Sequence, residues 1–122
     1  MADRLRTAVD LDGEDIHWDP ADGLSYGRYL KLDQVTGAQT PLTDEHDEMM
    51  FIIIHQASEL WLKLCLHELD AAITLLQADQ SRPAMKNLAR IARVQEQLTQ
   101  SWAVLATMTP ADYLRFRDKL GQ

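Results

Sequence analysis

One histidine directly follows a run of apolar residues, where an imidazole is unexpected. His55 comes after Met49 to Ile54 and shares a helical face with Phe51, one turn earlier. Burial of an imidazole costs free energy unless one of its nitrogens finds a hydrogen-bond partner. The residues alone favour a hydrogen-bonded core histidine over a site histidine, and they leave the second interpretation open.

An arginine further along the sequence stands on an apolar stripe. Arg117 is always charged, and its planar guanidinium suits a carboxylate that accepts two parallel hydrogen bonds. Its partner is as readily an acidic side chain of this chain as the carboxylate of a ligand. The Tyr113 hydroxyl, one turn earlier, could bind the same anion. The stripe, at i, i+3, i+4 and i+7, consists of Tyr113, Phe116, Arg117 and Leu120.

Two tyrosines form a further pair of candidates, because Tyr26 and Tyr29 are three residues apart and face the same way on a helix. Packing of their rings against a core explains them at least as well as a ligand wall does.

The histidines offer little support for a metal site. His46 and His67 each stand directly before an acidic residue, and adjacent residues point to different faces of a helix. The di-iron helical bundles need a glutamate three residues before a histidine. Ile52 and Leu64 occupy those positions before His55 and His67. We therefore expect no metal ligand in this sequence.

Charge and composition narrow the class of protein. The 122 residues carry 12 basic and 19 acidic side chains, a net charge of −7, which argues against a nucleic-acid partner. Lys86, Arg90 and Arg93 fall at helical spacing, and a solvated helix face is favoured over a phosphate-binding one. Cys65 is the single cysteine, so no disulfide framework is expected.

The sequence also predicts a location in the cell. Its first residues are acidic and polar, unlike a signal peptide, and no uninterrupted apolar stretch approaches the roughly 18 residues of a membrane span. We expect a cytoplasmic protein without a membrane partner.

Helical signals dominate after an irregular acidic arm at residues 1–23. Residues 24–122 predict an all-α, long-helix bundle whose first helix, from Leu24 to Val35, is capped by Ser25 and ends before Gly37. The next helix, from Thr43 to about Gln77, is apolar on every face at its start, which predicts burial all round. Two more helices are expected. One is capped by Ser81 with Pro83 in its first turn, and the other runs from Tyr113 to Leu120 after a cap of Thr109, Pro110, Ala111 and Asp112. The expected apolar stripe of the Ser81 helix is Met85, Leu88, Ala89, Ala92, Leu98, Trp102, Leu105 and Met108.

Four segments of the sequence resemble the tryptophan 2,3-dioxygenase family. They are YGRYLKLDQ from Tyr26, HDEMMFIIIHQASELWLKL from His46, LARIARVQEQL from Leu88 and WAVLATMTPADYLRFRDKLG from Trp102. Each block aligns without a break in register, and together they cover somewhat more than half of residues 24–121.

The resemblance implies an all-helical, haem b-dependent dioxygenase of tryptophan catabolism, the kynurenine pathway. It inserts O2 across the indole C2–C3 bond of L-tryptophan and gives N-formylkynurenine. By this resemblance His55 is the distal histidine and binds the indole N–H, while Arg117 and Tyr113 bind the substrate carboxylate. The remaining implied site residues are Phe51 and Leu120 on the indole, with Phe51, His55 and Trp102 on the haem.

The resemblance also implies an interlocked homotetramer, in which Tyr26, Tyr29 and Leu30 close the pocket of a neighbouring subunit. The proximal haem ligand of the family has no counterpart in the motifs around His17, His46 or His67, so we expect it beyond Gln122. Two other functions stay open at this stage. One is an inactive helical chain that self-associates without haem, and the other is a metal- or haem-binding bundle of another family.

Overall fold

The computed structural model describes residues 25–120, so the arm expected at residues 1–23 lies outside the described residues. Between residues 25 and 120 the chain forms five helices and no strand, which confirms the all-α prediction. The described residues fall into two compact units, 25–38 and 39–120, each described by itself. The helices are α1 (Tyr26–Leu30), α2 (Leu32–Thr36), α3 (Glu48–Gln77), α4 (Ser81–Leu105) and α5 (Pro110–Leu120).

The first unit differs from the single helix predicted between Leu24 and Val35. Lys31 has a left-handed backbone, with φ 55° and ψ 44°, and separates α1 from α2. The predicted cap is confirmed, because the Ser25 hydroxyl accepts from the Arg28 N–H at 3.3 Å. The break lets Leu32 fold back, so that its Cδ1 would lie 3.9 Å from a Cβ placed on Gly27.

Gly37 ends α2, as predicted, and its lack of a side chain is required there. A Cβ at Gly37 would lie 2.7 Å from the Asp33 carbonyl oxygen, which is closer than real Cβ contacts. The Gly37 N–H donates to this same carbonyl at 3.1 Å, so the close approach is part of the helix end.

The long helix begins later than the sequence predicted. We expected a start at Thr43, but α3 starts at Glu48 and the preceding residues form a turn. The reason is that the Glu48 carboxylate binds the amides of Leu42 and Thr43, which holds this segment back against the helix end. The predicted end at about Gln77 is confirmed, and the 30 residues span about 45 Å.

Helices α3 and α4 form an antiparallel hairpin joined by a short connection. Ala72 of α3 and Ala84 of α4 are both fully buried, and Val94 is nearly so. Small side chains at such positions let two helix backbones approach closely. The predicted cap at Ser81 is wrong, because Gln80 is the cap residue and α4 already begins at Ser81. Pro83 lies in the first turn, as predicted.

The prediction that the long helix is buried all round is wrong for the described residues. Helix α4 covers only one side of α3, so the opposite side keeps large apolar groups exposed. The predicted α4 stripe is also wrong in part, because Met85, Ala89, Ala92 and Trp102 are exposed and Ala84 and Val94 face inward. The exposed apolar residues of α3 are Met49, Ile53, Leu60, Trp61, Leu62, Leu66, Leu69, Ile73 and Leu76.

Among the described helices, α3 alone is long and apolar enough to cross a membrane by length and composition. The core helix of a soluble protein passes the same test. Lys63, Glu68 and Asp70 lie within α3, and charged groups are costly inside a bilayer. The expectation of a protein without a membrane partner therefore stays a prediction.

Candidate functional site

A cluster of rings joins α5 to the first turns of α3. The Phe51 ring lies 5.5 Å from Phe116 and 5.9 Å from Tyr113, and the two α5 rings lie 5.7 Å apart, edge to face. These separations are typical of favourable aromatic pairs. Phe116 is fully buried, whereas Phe51 and Tyr113 are half-buried. Three residues predicted to share a stripe or a pocket are thereby brought together.

His55 extends this cluster along α3. Its ring centroid lies 4.1 Å from that of Phe51, and its Nδ1 lies 2.7 Å from the Phe51 carbonyl oxygen. Because a carbonyl oxygen only accepts, Nδ1 carries the hydrogen and donates it. In the neutral ring Nε2 is then left with a lone pair that can accept. The His55 side chain is exposed, so the favoured interpretation as a buried core histidine is wrong for the described residues.

Arg117 follows the buried Phe116 on α5 and is exposed. Within residues 25–120 its guanidinium makes no ion pair with an acidic side chain. The neighbouring Arg115, in contrast, lies 3.8 Å from Glu45 and 3.7 Å from Asp112. The described part of the chain therefore supplies no acidic side chain as the partner of Arg117. Leu120, the last residue of the stripe, is half-buried.

The start of α5 is fixed by the capping box that the sequence predicted. The Asp112 carboxylate accepts from the Thr109 N–H at 3.0 Å and from the Thr109 hydroxyl at 2.8 Å. The Thr109 hydroxyl in turn accepts from the Asp112 N–H at 3.2 Å. These hydrogen bonds, first that of the Thr109 amide, lower the pKa of Asp112. The cap sets where α5 begins, and therefore where Tyr113 and Arg117 lie along it.

One buried polar group was not predicted from the sequence. Glu68 is 5% exposed and accepts from Arg90 at 2.8 Å and from Asn87 at 2.6 Å, both on α4. The hydrogen bond from Arg90, followed by that from Asn87, lowers the pKa of Glu68. The prediction of a merely solvated helix face is therefore wrong for Arg90. Arg93, in contrast, pairs with Glu96 on the surface. The partners are about twenty residues apart, so no local pattern reveals them.

The other predicted site residues lie on open surface. Tyr26, Tyr29 and Leu30 are exposed on α1, which belongs to the first compact unit. Trp102 of α4 is 65% exposed, an unusual state for an indole. Among residues 25–120, no three histidine, cysteine or acidic side chains gather as a metal site.

Similarity of the amino-acid sequence identifies the family of this chain. The sequence profile of tryptophan 2,3-dioxygenase matches residues 12–122. The chain is 55% identical over 107 residues to a tryptophan 2,3-dioxygenase of Bacillus thuringiensis, with 88% of this chain and 38% of that protein covered. The chain is 55% identical to the tryptophan 2,3-dioxygenase of Exiguobacterium sibiricum, with 88% of this chain and 39% of that protein covered. It is 58% identical to that of Erythrobacter litoralis, with 84% of this chain and 39% of that protein covered.

The described helices thus define an all-helical class of protein. The chain is a member of the tryptophan 2,3-dioxygenase family, and it spans under two fifths of the length of these relatives, between 38% and 39%.

Proposed function

We propose that this chain supplies the substrate-binding part of a haem-dependent dioxygenase that converts L-tryptophan and O2 to N-formylkynurenine. Family membership supports the reaction, and the ring cluster around Phe51 supports the residues. The observation that carries the proposal is the orientation of His55, whose Nδ1 is engaged by a backbone carbonyl while Nε2 stays available. On this proposal, residues 24–122 form the helical amino-terminal part of the dioxygenase domain.

His55 is proposed to hold the indole. An indole N–H only donates, so it needs an acceptor, and the Nε2 lone pair of a neutral imidazole is one. The hydrogen bond to Phe51 fixes both the tautomer and the ring orientation. The Phe51 ring, 4.1 Å from the imidazole, offers an apolar face beside the acceptor. Leu120 is proposed to line the indole as well.

Arg117 is proposed to bind the amino-acid end of the substrate. The guanidinium makes two parallel hydrogen bonds to a carboxylate, and the Tyr113 hydroxyl contributes a third donor. Arg117 is exposed and makes no ion pair within residues 25–120, so its guanidinium is available to bind such an anion. Fixing both ends of the molecule orients the indole, and orientation of this kind lowers barriers by several kcal/mol, up to about 7–11 kcal/mol.

The haem is proposed to lie against Trp102, Phe51 and His55. Trp102, at 65% exposed, fits a flat apolar porphyrin that would cover it, and Phe51 and His55 would face the same group. When bound, the haem supplies the oxygen chemistry, which side chains cannot perform. The proposed role of this chain is to pack against the porphyrin, to bind the indole and to exclude water. We propose that the proximal ligand is contributed by residues that follow this chain in the family.

The partners follow from the same proposal. L-tryptophan and O2 are the substrates, and the complete protein is a cytoplasmic homotetramer in which Tyr26, Tyr29 and Leu30 close a neighbouring pocket. Their exposure supports this, since rings on a short helix gain by being covered. No nucleic-acid partner is proposed, because the net charge is −7.

The test is a chimera, named here the complete enzyme, in which this chain replaces the matching residues of the Bacillus thuringiensis relative. The expected results are a Soret band and the formation of N-formylkynurenine from tryptophan. The unmodified relative is the control for haem loading and assay. A chimera that folds as a helical oligomer but shows no Soret band and no product contradicts the proposal.

A second candidate is a non-enzymatic helical chain that self-associates. The exposed apolar side of α3 favours it, because such a surface is rarely left open in water. Light scattering of the 122-residue chain distinguishes the two candidates in part. A stable monomer at micromolar concentration counts against self-association, and a haem-free oligomer that resists assembly with the rest of the enzyme supports it.

A further inference from the structure

A buried carboxylate lies at the first residue of α3, a few residues before the candidate site. Glu48 is 1% exposed and accepts three hydrogen bonds, from the Leu42 N–H at 2.8 Å, the Thr43 N–H at 2.8 Å and the Thr43 hydroxyl at 2.6 Å. These donors, led by the Leu42 amide and the Thr43 hydroxyl, lower the pKa of Glu48. A carboxylate satisfied in this way is rigid, because each donor is fixed by the backbone or by a short side chain.

The same hydrogen bonds shape the turn that precedes α3. The Thr43 hydroxyl donates to Glu48 and accepts from the Glu45 N–H at 3.2 Å, and the Glu48 N–H donates to the Glu45 carbonyl at 3.2 Å. Glu45 is thus held from both sides. We name residues 42–48 the anchor turn.

The anchor turn faces the helix that carries Arg117. The Glu45 carboxylate lies 3.8 Å from the Arg115 guanidinium, which also lies 3.7 Å from Asp112 in the cap of α5. Helix α5 also packs on α3 through the rings of Phe116 and Tyr113, which lie 5.5 Å and 5.9 Å from the Phe51 ring. Both rings meet the same ring of α3, so they hold one side of α5. Arg115 lies on another side of the helix, and a contact there limits rotation of α5 about its axis.

We propose that the anchor turn, organised by Glu48 and Thr43, is a positioning element that sets the rotation of α5 and so the direction of Tyr113 and Arg117 relative to His55. Glu48 and Thr43 touch no substrate in this proposal and act through Glu45 and Arg115. The inference rests on the proposed function, because its consequence is the placement of a substrate carboxylate. A displacement of about 1 Å at such a site costs up to roughly 10²-fold in kcat/KM.

The test compares variants of Thr43 in the complete enzyme. Thr43→Val removes the hydroxyl at nearly constant shape, whereas Thr43→Ser keeps it. We expect Thr43→Val to raise the KM for tryptophan about tenfold with kcat changed less than about threefold, and Thr43→Ser to restore the KM. Glu68→Gln is the matched control, since it alters another buried carboxylate of α3 that binds α4 instead of the anchor turn. It should lower stability without a change in KM.

Two results overturn the proposal. One is an unchanged KM in Thr43→Val, and the other is an equal KM increase in Glu68→Gln, which would indicate a general loss of structure. If Thr43→Val does not fold, Arg115→Gln decides, because it breaks the contact from the exposed side of α5. A KM increase in that variant supports the anchor turn, and an unchanged KM contradicts it.

Hydrogen exchange on the 122-residue chain separates this inference from the proposed function. If the complete enzyme lacks activity, the proposed function fails, yet the α5 amides still report on the anchor turn. Faster exchange across Pro110–Leu120 in Thr43→Val than in Thr43→Ser supports the attachment. Equal exchange in both variants overturns it.

Discussion

The Nδ1 hydrogen of His55 is donated to the carbonyl oxygen of Phe51, at 2.7 Å, one helical turn earlier. The two rings lie 4.1 Å apart, so this single pair provides an acceptor nitrogen next to an aromatic face. An exposed histidine with one nitrogen already engaged is not needed for the packing of residues 25–120. The proposed function gives this histidine a role, as the acceptor of a hydrogen bond from a bound indole.

His55→Ala should lower kcat/KM for tryptophan about tenfold in the complete enzyme, the effect of one lost hydrogen bond. Because the side chain is exposed, the free energy of unfolding should change by less than about 1 kcal/mol. Steady-state kinetics and urea unfolding measure the two effects. The control substrate is 1-methyltryptophan, whose indole has no N–H. An equal loss with both substrates would show that His55 does not bind the indole hydrogen.

Phe116→Ala should detach α5, because the ring is fully buried between Phe51 and Tyr113. The expected cost is about 3–5 kcal/mol, the range for a buried phenylalanine. Leu114→Ala is the matched control, since Leu114 is exposed on the same helix and should cost no more than about 0.5 kcal/mol. Urea unfolding followed by circular dichroism measures both. Similar losses in the two variants would mean that the ring cluster does not hold α5.

Glu68 should make the stability of the hairpin depend on acidic pH. Its pKa is lowered in the folded chain, chiefly by the hydrogen bond from Arg90, so its contribution is complete above the unfolded pKa and is lost as pH falls through the folded one. Glu68→Gln should therefore be less stable than the unmodified chain at pH 7, and the difference should shrink below about pH 4. Thermal unfolding across this range measures it.

Glu96→Gln is the control for that titration, because Glu96 pairs with Arg93 on the open surface. Its effect should be small at every pH. A constant stability difference for Glu68→Gln between neutral and acidic pH would contradict the assignment of the network.

Local signals in the sequence were sufficient for much of the fold. The Thr109–Asp112 capping box and the stop at Gly37 were predicted because each depends on residues within one turn. The break at Lys31 was missed, since lysine has no preference for a left-handed backbone and its position carries no local signal for one.

Tertiary contacts account for the remaining differences. The start of α3 shifted from Thr43 to Glu48 because a buried carboxylate collects amides from the preceding turn, a contact that no periodicity shows. The partners of Glu68 could not be predicted for the same reason. The expectation of a fully buried α3 was wrong for residues 25–120. An apolar pattern predicts that a helix packs against other elements, but it does not identify those elements.

The central claim is that Arg117 binds the carboxylate of tryptophan. Its most direct test is the Arg117→Ala variant of the complete enzyme, whose binding of tryptophan is compared with its binding of tryptamine, which lacks the carboxylate. Loss of a bidentate charged pair should raise the KM for tryptophan about 10- to 100-fold and leave tryptamine binding within about twofold. Steady-state kinetics and ligand titration in the same buffer give both values. An unchanged KM for tryptophan, or an equal loss for both ligands, would contradict the claim that Arg117 binds the substrate carboxylate.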